Sequence, residues 1–145
     1  MIVPDANLLV YAYDSTSPYH GRARSWWEEV LSGAVPVGVP WVVVLAFTRL
    51  MTHTVICANP MTTVQVRGAV ELWLGWPQVR LLEARPTTFR LFFDLLEETR
   101  AGGNLSTDTL IAALAMEHGG IVYSNDRDFA RFPGLVCRNP LEAGS

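Results

Sequence analysis

Four aspartates lie where the chain is expected to turn, and their carboxylate oxygens could together hold a metal ion. Asp5 follows a short apolar run near the start of the chain, and Asp108 opens a helical segment. Asp126 and Asp128 follow a later apolar run. Magnesium and manganese prefer hard oxygen ligands of this kind, and such an ion can activate water for hydrolysis. This chemistry requires a fold that brings together residues more than a hundred positions apart.

Each aspartate also has an ordinary structural explanation. Asp5 could cap a helix or occupy a turn, and Asp108 could complement the positive end of a helix dipole. Asp126 and Asp128 could belong to a solvated loop. A shared metal site accounts for all four residues, whereas the ordinary explanation needs four separate causes, so the shared site is the stronger hypothesis.

Strand-like and helical segments alternate along the chain, which predicts an α/β fold with a mostly parallel sheet covered on both faces. The predicted strands are 2–3, 35–39, 79–82, 121–124 and a fifth at 135–137. The predicted helices are 7–13, 18–31, 41–51, 61–76, 88–100 and a last one that Ser106 or Thr107 caps and that runs to Glu117. Ser17 is expected to cap the helix that begins at Pro18.

Sites in parallel sheets form beyond the carboxyl ends of the strands. Asp5 follows the first predicted strand, and Asp126 follows the fourth. If these two strands are neighbours, both carboxylates lie at the same edge of the sheet. Asp108, in the first turn of its helix, can point at that edge too.

Composition limits the class of protein. The 145 residues suit one domain, 1–145, and the net charge of −3 means that a nucleic acid must be bound by a local patch. The longest apolar stretch, 39–47, is shorter than the ~20 residues that cross a bilayer, so no membrane segment is expected. The amino terminus lacks the basic region of a signal peptide. Cys57 and Cys137 lack zinc spacing and are predicted to be buried thiols of a cytoplasmic protein.

Three segments resemble PIN-domain proteins, and most closely the VapC toxins of bacterial toxin–antitoxin pairs. The first is 1–12, which contains the Pro-Asp-Ala-Asn sequence around Asp5. The second, 104–119, looks like the central acidic helix of the family, and the third, 124–135, looks like its closing motif. The resemblance covers nearly the whole chain. It implies a three-layer α/β/α PIN-like domain with a mostly parallel sheet of four to five strands.

The resemblance also implies a function. VapC toxins belong to type II toxin–antitoxin systems and are endoribonucleases that hydrolyse RNA with a magnesium or manganese ion and a metal-activated water. The implied partners are an RNA substrate, with transfer RNA or ribosomal RNA as the expected class, a cognate VapB-type antitoxin, and a second copy of the chain in a homodimer.

Particular residues match the site of the family. Asp5 and Asp108 match its principal metal ligands, Asp126 matches its later catalytic acid, and Asp128 is expected to help hold the metal. Asn7 matches a polar residue near the ion. Ser124 matches a small hydroxyl residue at the end of the fourth strand.

One position departs from the family pattern. Many members carry a glutamate in the helix after the second strand, where this chain has Ala46. Glu117 cannot replace that acid, because it lies nine positions after Asp108 and faces the opposite side of the helix at about 100° per residue. A weakened PIN domain that binds RNA or antitoxin without cutting is therefore an alternative.

Other residues have two interpretations each. Arg49 lies on nearly the same helix face as Ala46 and could hold an RNA phosphate or pair with a site carboxylate. Arg127 and Arg131 flank the last acidic motif and could contact the RNA backbone or remain in a solvated loop. Trp26 and Trp27 point in different directions from one helix, so one of them could contact a partner rather than the core.

A different enzyme class has a loosely similar amino terminus. Phosphatases of the haloacid-dehalogenase type use an aspartate after a strand, a second aspartate two residues later, and a lysine. In this chain Asn7 stands at the second position, and all eleven basic residues are arginines, so the phosphatase is the weaker alternative.

Overall fold

Five strands form the central sheet. A computed structural model describes residues 1–142, so the end of the predicted domain, 143–145, lies outside the described residues. The strands are β1 (Ile2–Pro4), β2 (Val37–Pro40), β3 (Val79–Leu82), β4 (Ile121–Tyr123) and β5 (Val136–Arg138). Their order is β3-β2-β1-β4-β5, and every pairing is parallel. The fifth strand is confirmed, and the sheet is wholly rather than mostly parallel.

Six helices flank the sheet and complete the predicted three-layer α/β/α fold. They are α1 (Ala6–Tyr13), α2 (His20–Ser32), α3 (Trp41–Thr52), α4 (Thr63–Leu74), α5 (Pro86–Thr99) and α6 (Ser106–Glu117). The chain builds β2 and β3 on one side of β1 and then crosses to build β4 and β5 on the other. This reversal places the switch point of the sheet between β1 and β4, where ligand sites form in parallel sheets.

Buried apolar side chains hold α6 and the central strands in place. Val3 of β1 and Val122 of β4 are fully buried, as are Ala112 and Ala113 of α6. The run of small and apolar residues in α6 predicts this burial, since a helix that is apolar on most faces must be covered. The first turn of α6 is thereby held at the carboxyl edge of the sheet, next to the switch point.

Two predicted helix caps differ from the structure for local reasons. The helix α2 begins at His20 rather than Pro18, because Ser17 Oγ accepts a hydrogen bond from Tyr19 N at 3.1 Å in a turn before the helix. Before α6 the segment Gly103–Leu105 forms a 3₁₀ turn, and neither Ser106 nor Thr107 provides a side-chain cap. Both predictions of a capping hydroxyl were therefore wrong.

A reciprocal capping box sets the start of α4 at Thr63 rather than residue 61. Thr62 Oγ1 accepts a hydrogen bond from Gln65 N at 3.1 Å, and Gln65 Oε1 accepts one from Thr62 N at 2.9 Å. The Thr-x-x-Gln spacing was the signal for this start in the sequence.

The two cysteines are both free, and they differ in exposure. Cys57 is buried as predicted, whereas Cys137 is exposed because β5 lies at the edge of the sheet. Among residues 1–142, no helix combines the length and the apolarity needed to cross a membrane.

Candidate metal centre

Three carboxylates converge at the carboxyl edge of the sheet. Asp108, Asp126 and Asp128 each place an oxygen within 4.8 Å of the other two. Asp108 lies in the first turn of α6, and Asp126 caps the short 3₁₀ helix Arg127–Arg131 after β4. Asp126 Oδ1 accepts a hydrogen bond from Asp128 N at 2.9 Å, which fixes the relative positions of the last two acids. The fold thus brings together three of the four aspartates in one cluster.

Asp5 lies beside this acidic cluster and is held by hydrogen bonds. Because β1 pairs with β4, with Pro4 opposite Tyr123, the next residues of the two strands are neighbours. Ser124 Oγ donates to Asp5 Oδ2 at 2.6 Å, and Ala6 N donates to Asp5 Oδ1 at 2.7 Å. Asp5 is therefore also the cap of α1, so its ordinary explanation holds together with its place at the site.

The Ser124 hydroxyl connects three parts of the site. It donates its proton to Asp5 and accepts hydrogen bonds from Asp126 N at 2.9 Å and from Asn7 Nδ2 at 3.3 Å. Because that proton is committed to Asp5, the Asn7 amide must present its NH₂ group to Ser124. This leaves Asn7 Oδ1 buried and without a partner among the described residues. An unpaired buried acceptor is rare and fits a cation or its hydration shell.

The site concentrates negative charge. Burial raises the pKa of Asp5 against the hydrogen bonds from Ser124 and Ala6, and the charge of Asp126 raises it further. Burial, with the charges of Asp5, Asp126 and Asp128, raises the pKa of Asp108 to about 7, and the charge of Arg131 offsets this only in part. Like charges that meet without enough protein cations favour a bound metal ion.

Arg131 pairs with Asp128, a contact that was not predicted from the sequence, where Arg131 was expected to contact RNA or to remain in a solvated loop. Its Nη2 lies 3.4 Å from Asp128 Oδ1, and its Nε donates to the Asp128 carbonyl at 3.2 Å. The spacing of three residues from Asp128 was the available signal. Arg49 is exposed on α3 and makes no ion pair within residues 1–142, so the expected pairing with a site carboxylate is not found. Arg127 is exposed as well.

Glu117 lies at the opposite end of α6, about 13 Å along the helix axis from Asp108. It accepts hydrogen bonds from Thr87 and Thr88, and Arg85 Nη2 lies 3.3 Å from its Oε2. Burial alone would raise the pKa of Glu117, but these hydrogen bonds and the charge of Arg85 outweigh it and lower that pKa. Glu117 therefore ties α5 to α6 and does not supply the acid that the family resemblance led us to expect at position 46.

Residues 2–135 match the family model of the PIN domain. The chain belongs to the PIN-domain family. Curated relatives of this PIN protein include two ribonucleases of Mycobacterium tuberculosis. VapC33 is 36% identical over 141 residues, which cover 97% of this chain and 99% of the relative. VapC37 is 36% identical over 140 residues, which cover 97% of each chain.

Solved structures show the same fold. The crystal structure of VapC20 from Mycobacterium tuberculosis, a sarcin-ricin loop cleaving toxin, aligns with a TM-score of 0.68 at 18% identity and covers 94% of this chain and 97% of that one. VapBC2 from Rickettsia felis, bound to a promoter DNA fragment, aligns with a TM-score of 0.66 at 19% identity, covering 96% and 98%. Membership of the PIN family favours a nuclease over the phosphatase alternative.

Proposed function

We propose that this PIN protein is the toxic component of a type II toxin–antitoxin system and an endoribonuclease that requires Mg²⁺ or Mn²⁺. The observation that carries the proposal is the convergence of Asp108, Asp126 and Asp128 beside Asp5. The full-length similarity to VapC ribonucleases supports the substrate class. The catalytic unit is a single domain formed by 1–145.

The donor atoms at the carboxyl edge of the sheet fit a divalent ion. They are carboxylate oxygens and Asn7 Oδ1, which has no partner in the described part of the chain, and such oxygens are the hard ligands that Mg²⁺ and Mn²⁺ take. We assign the four aspartates as metal ligands, with Asp5, Asp108 and Asp126 as the catalytic acids. When bound, such an ion would act as a Lewis acid and lower the pKa of water for attack on a phosphodiester.

Two polar residues position the ligands. Ser124 holds Asp5 in one orientation through a hydrogen bond, and its other contacts hold Asn7 and the backbone of Asp126. Ordered ligand partners of this kind keep a metal site in its binding geometry. The carboxylates also repel the phosphates of RNA, so exposed cations such as Arg49 and Arg127 are assigned to the RNA backbone.

The proposed partners are RNA, a VapB-type antitoxin and a second copy of the chain. The VapBC2 complex among the fold neighbours supports an antitoxin, and VapC20, which cleaves the sarcin-ricin loop, supports ribosomal RNA as one candidate substrate alongside transfer RNA. Exposed apolar side chains on α3 and α5, such as Leu45 at 64% and Phe89 at 68% exposure, support a homodimer. The free thiols support a location in the reducing cytoplasm.

Ala46 supports one alternative, a PIN domain that binds RNA or antitoxin without cutting. A methyl group on α3 supplies no ligand, so the ion would keep more water and bind less tightly. RNA binding without cleavage at saturating Mn²⁺ would favour this alternative over the nuclease.

The experiment titrates Mn²⁺ against the purified protein with RNA in one reaction and a phosphatase substrate in another. RNA cleavage that depends on Mn²⁺, without phosphatase activity, is expected. Asp5→Ala and Asp108→Ala should abolish cleavage, whereas Asp94→Ala, at an exposed position on α5, should leave it unchanged. Activity retained in either site variant would contradict the assignment of the metal centre.

A further inference from the structure

A groove lies on one face of the sheet, between α2 and strands β4 and β5. Its volume is about 960 Å³, within the range of ligand-binding clefts. Trp26 of α2 and Tyr123 of β4 line it, with ring centroids 5.5 Å apart and planes inclined by 26°. Trp27 is only 3% exposed and belongs to the core, whereas Trp26 is half-buried and lines the groove. Core packing therefore accounts for all of Trp27, whereas Trp26 packs against the core with one part and lines the groove with the rest.

One end of the groove adjoins the candidate metal centre. Tyr123 directly precedes Ser124, and its carbonyl accepts a hydrogen bond from Asp5 N at 2.8 Å. Tyr123 pairs with Arg138 of β5, and Arg138 lines both the groove and a smaller depression that contains Ser124 and Asp126. A single strand could therefore pass from the acidic cluster, past Arg138, into the groove.

The chemical character of the groove changes along its length. Arg22 and Arg138 lie at the end next to the metal centre, and Arg22 is held by a hydrogen bond from Nη1 to the Leu141 carbonyl at 2.8 Å. The other end, where α2 stops and the chain enters β2, is lined by Val30. Glu29 also lines the groove and would repel a phosphate there, although its carboxylate can accept a hydrogen bond from the amino group of a base. Cations thus lie toward the acidic cluster with the aromatic pair beside them, and apolar surface lies farther in.

We propose that this groove is a stacking subsite for one unpaired base of the RNA that is bound at the metal centre. Unpaired bases stack on aromatic side chains whatever their sequence, because every base has a π face, and arginines hold the adjacent phosphates. The inference rests on the proposed ribonuclease function and adds a binding surface to it. A peptide would fill an apolar groove as well, but cations next to a stacked aromatic pair match the backbone and base of a nucleic acid better.

The test measures the affinity of an unstructured, fluorescein-labelled oligoribonucleotide for the full chain carrying Asp108→Asn, which prevents cleavage. Adding Trp26→Leu should weaken binding about tenfold, and Trp26→Phe, which keeps a ring, should recover most of that loss. Trp41→Leu is the matched control, since this tryptophan is 52% exposed on α3 and does not line the groove. In the active protein, Trp26→Leu should raise KM about tenfold and leave kcat within about twofold.

Oligonucleotides with one abasic position locate the stacked base. Loss of one particular base should weaken binding to the Asp108→Asn parent but not to the variant that also carries Trp26→Leu. Arg138→Gln removes a positive charge from an exposed residue of the groove and does not alter the core. It should therefore weaken RNA binding and reduce the salt dependence of the RNA affinity by about one phosphate contact. Circular dichroism checks that each variant is folded.

Equal RNA affinity of the parent and the Trp26→Leu variant would overturn the subsite, even if the same variant lost affinity for a VapB-type peptide. An equal loss of affinity for every abasic position would overturn it too. If the wild-type protein does not cleave RNA with Mn²⁺, the proposed function itself fails. If it cleaves RNA and Trp26→Leu leaves KM unchanged, only the subsite fails.

Discussion

Replacing Asp108 by asparagine should stabilise the metal-free protein while it destroys the metal centre. Burial and the charges of Asp5, Asp126 and Asp128 raise the pKa of Asp108 from 3.8 to about 7. A pKa shift of this size corresponds to about 4 kcal/mol of unfolding free energy if solvent does not screen the charges. Asp108 is only half-buried, so screening by solvent reduces the expected gain to about 2 kcal/mol.

The sign of the pH dependence follows from linkage. A carboxyl group whose pKa is higher in the folded than in the unfolded protein contributes stability at low pH, and that contribution is lost as the pH rises from 3.8 through about 7. Ionised Asp108 therefore lowers the stability of the metal-free protein most near pH 8, and substitution by asparagine removes this destabilisation. We expect Tm to rise by about 4–8 °C at pH 8 in EDTA, and by less than half as much at pH 5.

Differential scanning calorimetry of the wild-type protein and Asp108→Asn at the two pH values measures the effect. Asp94→Asn, at an exposed position on α5, is the control and should change Tm little. Excess Mn²⁺ should stabilise the wild-type protein by about 3 kcal/mol at a hundredfold excess over Kd, and should leave the variant almost unchanged. A lower or unchanged Tm for Asp108→Asn at pH 8 in EDTA would refute the account of charge repulsion at this site.

Three other perturbations test the same site. Ser124→Ala removes the hydroxyl that links Asp5, Asn7 and Asp126. We expect Mn²⁺ binding, measured by calorimetric titration, to weaken by about 10- to 100-fold. Unchanged affinity would show that the hydroxyl does not position the ligands. Mn²⁺ binding should release protons below pH 7 and tighten between pH 6 and pH 8, because Asp108 must ionise to bind; a binding heat that is the same in buffers of different ionisation enthalpy would contradict this. Ala46→Glu should tighten Mn²⁺ binding about tenfold and raise cleavage at limiting Mn²⁺, with Ala46→Gln as the uncharged control; equal effects of the two substitutions would argue against a missing ligand.

Much of the fold could be predicted because its causes are local. The short apolar runs before Asp5 and Asp126 are buried strands, and alternation with helices is enough to predict a parallel sheet covered on both faces. Helix starts were less predictable, since several hydroxyl residues compete for each cap. Ser106 and Thr107 have suitable side chains, yet neither caps α6, because a 3₁₀ turn precedes the helix. Which backbone groups remain unpaired at a helix end depends on the turn that precedes the helix.

The residues of the candidate site were easier to predict from the sequence than their arrangement in space. From the sequence, Asp5 ranks with Asp108 and Asp128 ranks last, whereas the structure places Asp128 in the tight cluster and Asp5 beside it. The reason is a single turn: Asp126 caps the 3₁₀ helix and draws the Asp128 backbone toward itself. Aspartate favours a turn of this kind because its carboxylate can accept a hydrogen bond from the backbone N–H two residues later. The direction of the turn relative to α6, however, depends on the packing of the whole domain.

The sequence by itself determined which groups are available: four aspartates, a serine and an asparagine at strand or helix ends, no lysine, and an alanine at position 46. These are properties of residue type and local pattern. Only the tertiary structure decided that β1 and β4 are neighbours, that Ser124 links Asp5 to Asn7, and that Asn7 Oδ1 has no partner within residues 1–142. It also placed Trp26 against Tyr123, the residue before Ser124, in a groove beside the candidate metal centre. Distances between residues far apart in the chain depend on strand order and on how buried side chains pack, and these are set by the whole core rather than by any segment of it.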